Sequence, residues 1–354
     1  MNLMKINGLG WMAGAVIVMA SGISASAFTS GNADTLLSGF HTAFYEQYQT
    51  GLSHYKSAKT GGDTGFWTQA EIIESLESAY QRTGNTTHRD MITKVLNGFS
   101  NERGTSWSGN SFNDDVMWAC IAYLRGYSLT GNTTFRTIAK SNFDMAYARS
   151  YDTANGGFFR TSSNSSKNSA VNGPASIAAY KLYQALGDSG YYNKAVAINN
   201  WQRANCYNEA NGQVYDSPSS QTPTTYNQGT FLAACYYRGS TGAAQLACDY
   251  LKTMGSIPTG GTERLMPAYG NGTDNSGFNS IGIRYASQLM KNMGTQSRYL
   301  SWLQANAQAA WDARRPSDNL SWQNWHTPLL NGTVVGAWDC VNSQEALQVV
   351  PPNQ

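Results

Sequence analysis

The residues best suited to chemistry are two adjacent aspartates, Asp114 and Asp115, in the stretch FNDDVMWACIAYLRGY (112–127). A local reading makes them a helix start. Asn113 has the character of an N-cap, and acids in a first turn favour the helix dipole by about 0.3–1 kcal/mol. A chemical reading needs both carboxyls in one cavity. Two close carboxylates disfavour double ionisation, so they titrate as a pair and one can hold a proton near neutral pH. One protonated and one ionised carboxyl is what cleavage of a glycosidic bond requires. A carboxyl separation of ~5–5.5 Å gives retention of configuration, and ~6.5–9.5 Å leaves room for water and gives inversion. Neighbouring helical residues point about 100° apart. Two such carboxyls fit the shorter range when both lean into the same space.

Whether they do depends on the elements that carry them. Five glycines, Gly84, Gly131, Gly187, Gly239 and Gly294, each end a helical pattern, pass through a short polar turn and open another, at spacings of 47 to 56 residues. The repeated unit is a helical hairpin. Hydrophobic periodicity predicts helices near 33–57, 67–83, 88–100, 113–130, 134–149, 168–186, 190–205, 225–238, 242–254, 278–293, 297–313 and 341–348. No stretch gives several convincing period-2 strands. The connections between hairpins (59–66, 101–113, 152–167, 207–224, 257–277 and 315–339) are long and rich in Gly, Ser, Asn, Pro and aromatics. Loops of that length inside a compact domain are usually functional.

Short turns therefore fall on one face and long loops on the other. The even-numbered helices start at the long-loop face and are the more apolar, as in VMWACIAYL, PASIAAYKLY and GTFLAACYY. A helix that is apolar all round is buried. An all-α fold follows, with six hairpins whose buried helices form an inner ring inside an outer one: an (α/α)6 barrel. A solenoid is the alternative, but no polar cap is evident.

If the even helices are inner, their N-termini converge on one mouth. Trp67 and Glu71 start the second helix, and Asn113, Asp114 and Asp115 the fourth. Lys167, Asn168 and Asn172 start the sixth, and Tyr226, Asn227 and Gln228 the eighth. Asp274, Phe278 and Arg284 lie before and within the tenth. Each has an ordinary structural role to set against a functional one: Glu71 answers a dipole, Asn168 and Asn172 cap, Arg284 pairs with a carboxylate, Trp67 packs in the core. Their recurrence at equivalent positions of the repeat favours a polar, ring-lined cavity.

The net charge of +2, without a basic block, excludes a nucleic-acid partner from the leading readings. Tyrosines and tryptophans set among Gly, Asn and Ser suit a neutral polar ligand whose faces stack on rings, and carbohydrate is the obvious one. The four histidines are scattered and no cysteine has metal-ligand spacing, so neither metal nor cofactor is expected. Cys120 and Cys235 lie in apolar helical runs as buried thiols; Cys206, Cys248 and Cys340 leave room for one disulfide. Residues 1–27 read as a secretory signal peptide. Lys5 supplies positive charge, GLGWMAGAVIVMA is the apolar core, and Ala25-Ser26-Ala27 is the cleavage site. Residues 28–354 are expected to form a single catalytic domain, a secreted, extracellular monomer with no stable membrane association.

Five segments in order, WTQAEIIESL, FNDDVMWACIAY, SKNSAVNGPASIAAYKLY, TTYNQGTFLAA and SGFNSIGIRYASQL, resemble glycoside hydrolase family 76, the α-1,6-mannanases. The resemblance runs over most of the mature chain, and the Asn-Asp-Asp helix start is its most specific mark. It implies endo-hydrolysis of α-1,6-mannosyl linkages in mannan with retention, Asp114 acting as nucleophile and Asp115 as general acid/base. It further implies that Asn168, Asn172, Tyr226, Asn227 and Gln228 line the sugar cleft. Where the family often has Phe-Lys-Gly before the arginine of the tenth helix, this chain has Phe278, Asn279 and Ser280. The resemblance also admits a transglycosylase acting on cell-wall or anchor glycans. A different class of reading, a non-catalytic glycan-binding barrel, has no need of two coupled carboxylates. The tail VVPPNQ carries no hydrophobic anchor signal.

Overall fold

Of the five turn glycines, Gly294 and the first three, Gly84, Gly131 and Gly187, adopt left-handed backbone conformations at helix ends and donate their N–H groups to carbonyls in the last turn of the preceding helix. A side chain there would be strained, which is why the sequence punctuates its hairpins with Gly. The outer helices that follow are capped by Asn85, Asn132 and Asp188, whose side chains accept from the backbone two residues on.

A computed structural model describes residues 28–352 and contains twelve helices among them. They are α1 (Ser30–Phe44), α2 (Phe66–Thr83), α3 (Thr86–Arg103), α4 (Asn113–Thr130), α5 (Thr133–Ser150) and α6 (Ser169–Leu186). Then follow α7 (Ser189–Asn205), α8 (Thr225–Tyr237), α9 (Thr241–Thr253), α10 (Phe278–Met293), α11 (Gln296–Asp312) and α12 (Ala337–Val349). The even helices touch in the cycle α2, α4, α6, α8, α10, α12 and back to α2, which closes the inner ring. Each pairs with an odd outer helix, and α1 pairs with α12 across the chain ends. This is the (α/α)6 barrel. Burial follows the rings: α4 is buried over most of its length, whereas α3 buries only Ile92, Val95, Leu96, Gly98 and Phe99. The expected signal peptide lies outside the described residues.

The first predicted helix is too long. It ends at Phe44, and the chain turns into a three-stranded antiparallel sheet, β1 (Tyr45–Gln49), β2 (Leu52–Ala58) and β3 (Gly61–Asp63). The missed signal is Thr50-Gly51, where Gly51 has a φ of 76° and reverses the chain between alternating segments. Ser53 and Tyr55 of β2 point inward. At Gly98 of α3, an added Cβ would sit 2.0 Å from the Ser53 carbonyl oxygen, so the sheet can lie flat on the helix only over glycine. The five cysteines are all buried free thiols, so none of Cys206, Cys248 and Cys340 forms the disulfide they left room for.

The long loops are held by a shared device. A buried side-chain amide on a nearby helix bonds to loop backbone on both its oxygen and its nitrogen. Asn142 takes the Trp107 N–H and gives to Thr105 O. Asn172 holds both main-chain groups of Phe158, and Gln228 takes Val214 N–H and gives to Gly212 O. Asn306 holds Met266 N–H and Arg264 O. Each amide satisfies loop groups that burial would otherwise leave unpaired, at ~1–3 kcal/mol apiece. The mouth of the barrel is thereby rigid backbone rather than loose loop.

Candidate active site

Asp114 and Asp115 open α4, but Asn113 does not cap it. The N-cap is Phe112, with no side-chain bond, and Asn113 is the first helical residue. The Asn113 N–H, one of the unpaired donors of the first turn, is taken by the Arg160 carbonyl at 2.7 Å. The Asn113 side chain, fully buried, donates to Phe159 O at 2.8 Å and accepts from Arg149 Nε at 2.8 Å. It fastens the 152–167 loop to the start of α4.

The two aspartates face a cavity of about 250 Å³ lined by Trp67, Phe112, Asp114, Asp115, Trp118, Arg160, Ala170, Tyr226, Asp274 and Phe278. Half of these lining residues are aromatic. Tyr226 and Phe278 have centroids 4.0 Å apart, Trp67 lies 6.3 Å from both Trp118 and Phe278, and Trp338 packs edge-on against Trp67 at 4.6 Å. Trp338 also donates its indole N–H to the Asp274 carbonyl, which fixes the loop carrying that third acid.

The two carboxyls have unequal surroundings. Asp114 is 6 % exposed; its Oδ2 accepts from Arg160 Nε at 3.1 Å, and its Oδ1 is buried without a partner among the described residues. Burial raises its pKa above the ordinary carboxylate value, and Arg160 and the backbone N–H groups at the helix start pull against that. Asp115 accepts only from a neutral amide, Asn110 Nδ2, at 3.1 Å. Burial first, and then the Asp114 charge, push its pKa up to about 7. The protons of such a pair belong to the pair. One carboxyl beside a cation and one beside an amide still make a charged and a protonated partner the favoured state near neutral pH.

Of the residues singled out from sequence, the cavity brings together Asp114, Asp115, Trp67, Tyr226, Asp274 and Phe278. The others lie elsewhere. Asn168 caps α6 through Val171 N–H, and Asn172 and Gln228 are loop clamps. Asn227 is fully buried and donates to Asp216 at 3.3 Å. Glu71 and Arg284 pair with each other at 2.8 Å on buried faces of α2 and α10, outside the cavity lining. Asn279, where the lysine of the resembled motif would stand, is also buried, bridging Thr225 and Pro267 O. Sequence reasoning missed Phe112, Trp118, Ala170 and Arg160. Trp118 was findable, since it stands four residues after Asp114 and three after Asp115, on the same helical face. Arg160 had no local signal, because it sits in a Gly/Ser-rich loop that only tertiary pairing brings to α4. Among the described residues no group of His, Cys, Asp and Glu is arranged to hold a metal ion.

The profile of glycosyl hydrolase family 76 matches residues 29–353. Among solved structures, an inactive variant of the α-1,6-mannanase GH76A of Salegentibacter sp., with two consecutive aspartates replaced by alanine and α-1,6-mannotetrose bound, is 22 % identical. It superposes with a TM-score of 0.80, covering 90 % of this chain and 98 % of that one. The Lin0763 protein of Listeria innocua is 20 % identical with a TM-score of 0.78, covering 90 % and 96 %. Dfg5 from Chaetomium thermophilum, in complex with glucosamine, is 16 % identical with a TM-score of 0.72, covering 91 % and 89 %. A comparison with curated proteins gives no match.

Proposed function

The chain belongs to glycosyl hydrolase family 76, and from that premise we propose that it is a secreted, retaining endo-hydrolase of α-1,6-linked mannan. The observation that carries the reading is the pair Asp114–Asp115, side by side in one ring-walled cavity with a cation on one carboxyl and a neutral amide on the other. The α-1,6-mannanase described above shares the fold, and its inactive variant carries replacements at two consecutive aspartates.

The division of labour follows from those neighbours. Asp114, beside Arg160, is the carboxylate that attacks the anomeric carbon. The bond from that carbon to the bridging oxygen breaks, and the oxygen takes the proton of Asp115 as it leaves. In the second step a water gives its proton to Asp115, its oxygen bonds to the anomeric carbon, and the ester bond to Asp114 breaks to return the carboxylate. Two inversions give net retention. A pKa of about 7 suits Asp115 to give a proton in the first step and take one in the second. Trp67, Tyr226 and Phe278 supply faces for sugar rings, and Asp274 supplies a hydrogen-bond acceptor for hydroxyls. No described helix is long and apolar enough to cross a membrane; residues 1–27 are read as the export signal.

The test is to incubate the mature protein with linear α-1,6-mannan and with α-1,2- and α-1,3-linked mannans, and to size the products by chromatography. Internal cleavage of the α-1,6 polymer alone is expected. Products longer than the starting oligosaccharide would replace hydrolysis by transglycosylation. Binding without cleavage of any of the three would overturn the enzymatic reading.

A further inference from the structure

Arg160 is the one cation lining the cavity, and its backbone is pinned to the helix that carries both acids. Its carbonyl accepts from Asn113 N–H at 2.7 Å and its own N–H donates to Ser166 O at 2.7 Å. Next to it, Phe159 O accepts from the Asn113 side chain, Ser162 N–H donates to Ser111 O, and Phe112 and Thr161 form an antiparallel bridge. The guanidinium lies over the Phe112 ring, 5.5 Å from its centroid. The position of Arg160 relative to Asp114 is thus set by a short, doubly clipped piece of backbone. Its bond from Nε goes to Oδ2 only, leaving the buried Oδ1 without a partner among the described residues.

We propose that Arg160 is a positioning residue that makes two chemically identical side chains unequal. By holding Oδ2 it keeps Asp114 ionised, so that the proton resides on Asp115. The inference rests on the double-displacement reading above. In the first step the Asp114 carboxylate forms the ester bond to the anomeric carbon while the guanidinium stays beside it. In the second step the electron pair of the breaking ester bond returns to a carboxylate that Arg160 stabilises, so the same contact assists both steps. A second cation, Arg149 of α5, stands nearby, but it donates to Asn113 Oδ1 and to the Ser108 and Asn110 carbonyls and bonds neither acid. The other ionisable groups around this point are Asp115 on the same helix, Asp274 before α10, Tyr226 on α8, and Asp216 in the loop before α8. Among the described residues Arg160 alone pairs with Asp114. The side chain is 45 % exposed before substrate binds. A sugar covering it would remove water and strengthen the contact as the reaction begins.

The test uses the full mature protein, Arg160→Gln and Arg160→Lys, with α-1,6-mannotetraose as substrate. It follows kcat/KM against pH and, for the wild type, the anomer first released. Arg160→Gln should lose about 10- to 100-fold in kcat/KM, the scale of a hydrogen bond to a charged group. Its acid limb should move toward neutral pH, because Asp114 then holds its proton longer. Arg160→Lys should recover part of both, since its ammonium keeps the charge without the planar fork. Melting curves should show both variants folded, with Arg160→Gln only slightly less stable near neutral pH, because Arg160 is half exposed while its partner Asp114 is buried. A rate loss with the acid limb unmoved, or a lysine variant no better than glutamine, would show a merely structural arginine and overturn the inference. A wild type releasing β-anomers overturns the double-displacement reading and this inference with it. A retaining wild type whose profile superposes on that of Arg160→Gln overturns the inference alone.

Discussion

The barrel holds two sets of buried carboxylates, and they are built on opposite plans. At the long-loop mouth, Asp114 pairs with one arginine, Asp115 accepts from an amide, and both open on a cavity. Deeper among the inner helices, Glu71, Glu74, Glu77 and Glu345 are laced to Arg125 and Arg284. Arg284 alone reaches Glu71 at 2.8 Å, Glu74 at 3.3 Å and Glu345 at 2.7 Å, with every partner inaccessible to solvent. Burial raises the pKa of Glu71 and Glu77 well above the ordinary value, while Glu74, also pushed up by burial, is drawn below it by Arg284 and Arg125. Perturbed titration is therefore common to both sets and does not itself mark catalysis. What separates them is access. The inner cluster, whose glutamates are inaccessible to solvent, spends its charges on cross-links between α2, α4, α10 and α12, whereas at the mouth both acids line a cavity, one beside an arginine and the other beside an amide.

The sharpest way to break this contrast is to remove charge from each set in turn. Asp114→Asn and Asp115→Asn should each abolish measurable turnover of α-1,6-mannan while the protein stays folded. For Asp115, loss of a general acid/base alone accounts for a ~10²–10⁴-fold drop. Near-normal activity of either variant would remove the distinction. Arg284→Ala should act on stability instead. It strands Glu71 and Glu345 and leaves Glu74 with Arg125 alone, and breaking a buried pair costs about 3–5 kcal/mol, to be read as a lowered urea midpoint. If Asp114→Asn destabilises as much as Arg284→Ala, the two sets are one structural network.

A subtler contrast concerns pH. With the Asp115 pKa raised from 3.8 to about 7, the free enzyme needs that proton for catalysis, so kcat/KM should fall along an alkaline limb near pH 7. The stability sign is the reverse of a paired carboxylate. The folded state prefers the protonated acid, so its contribution is complete below pH 3.8 and is lost as pH rises through about 7. Asp115→Asn, which cannot ionise, should therefore be more stable than the wild type above pH 7, by about 1–3 kcal/mol, and equal to it near pH 4. Denaturation at the two pH values checks this. The smallest effect is expected at the rim. Phe112 is 43 % exposed and carries the Arg160 guanidinium. Phe112→Ala should change KM by about 2- to 5-fold, as loss of one exposed ring contact implies, with kcat little altered.

How far the sequence alone led can be judged from particular residues. The hairpins were legible because a helix must end, and Gly84, Gly131 and Gly187 end theirs in a conformation few other residues accept. The inner ring was legible because helices apolar all round have only one place to go. The β-hairpin at 45–63 was not, since its Tyr, Ser and His residues also fit the last turns of an amphipathic helix. At the mouth, aromatic and acidic positions fared better than amides. Asn113, Asn172 and Gln228 stand at the starts of inner helices, and from sequence an amide there serves a sugar hydroxyl or a loop carbonyl equally well. The long loops that build the cavity also carry buried backbone groups that need partners, and those groups claimed the amides. Arg160 shows the opposite gap: its importance comes from a pairing between residues 46 positions apart, which no periodicity records.

The double displacement at Asp114 and Asp115 is tested most directly by following the anomeric protons of the first products released from linear α-1,6-mannan by NMR. Early accumulation of α-anomers, relaxing later by mutarotation, is the expected result for a nucleophile and an acid/base side by side on one helix. Early β-anomers would mean that water attacks directly, and would contradict the assignment of Asp114 as the residue that bonds to sugar.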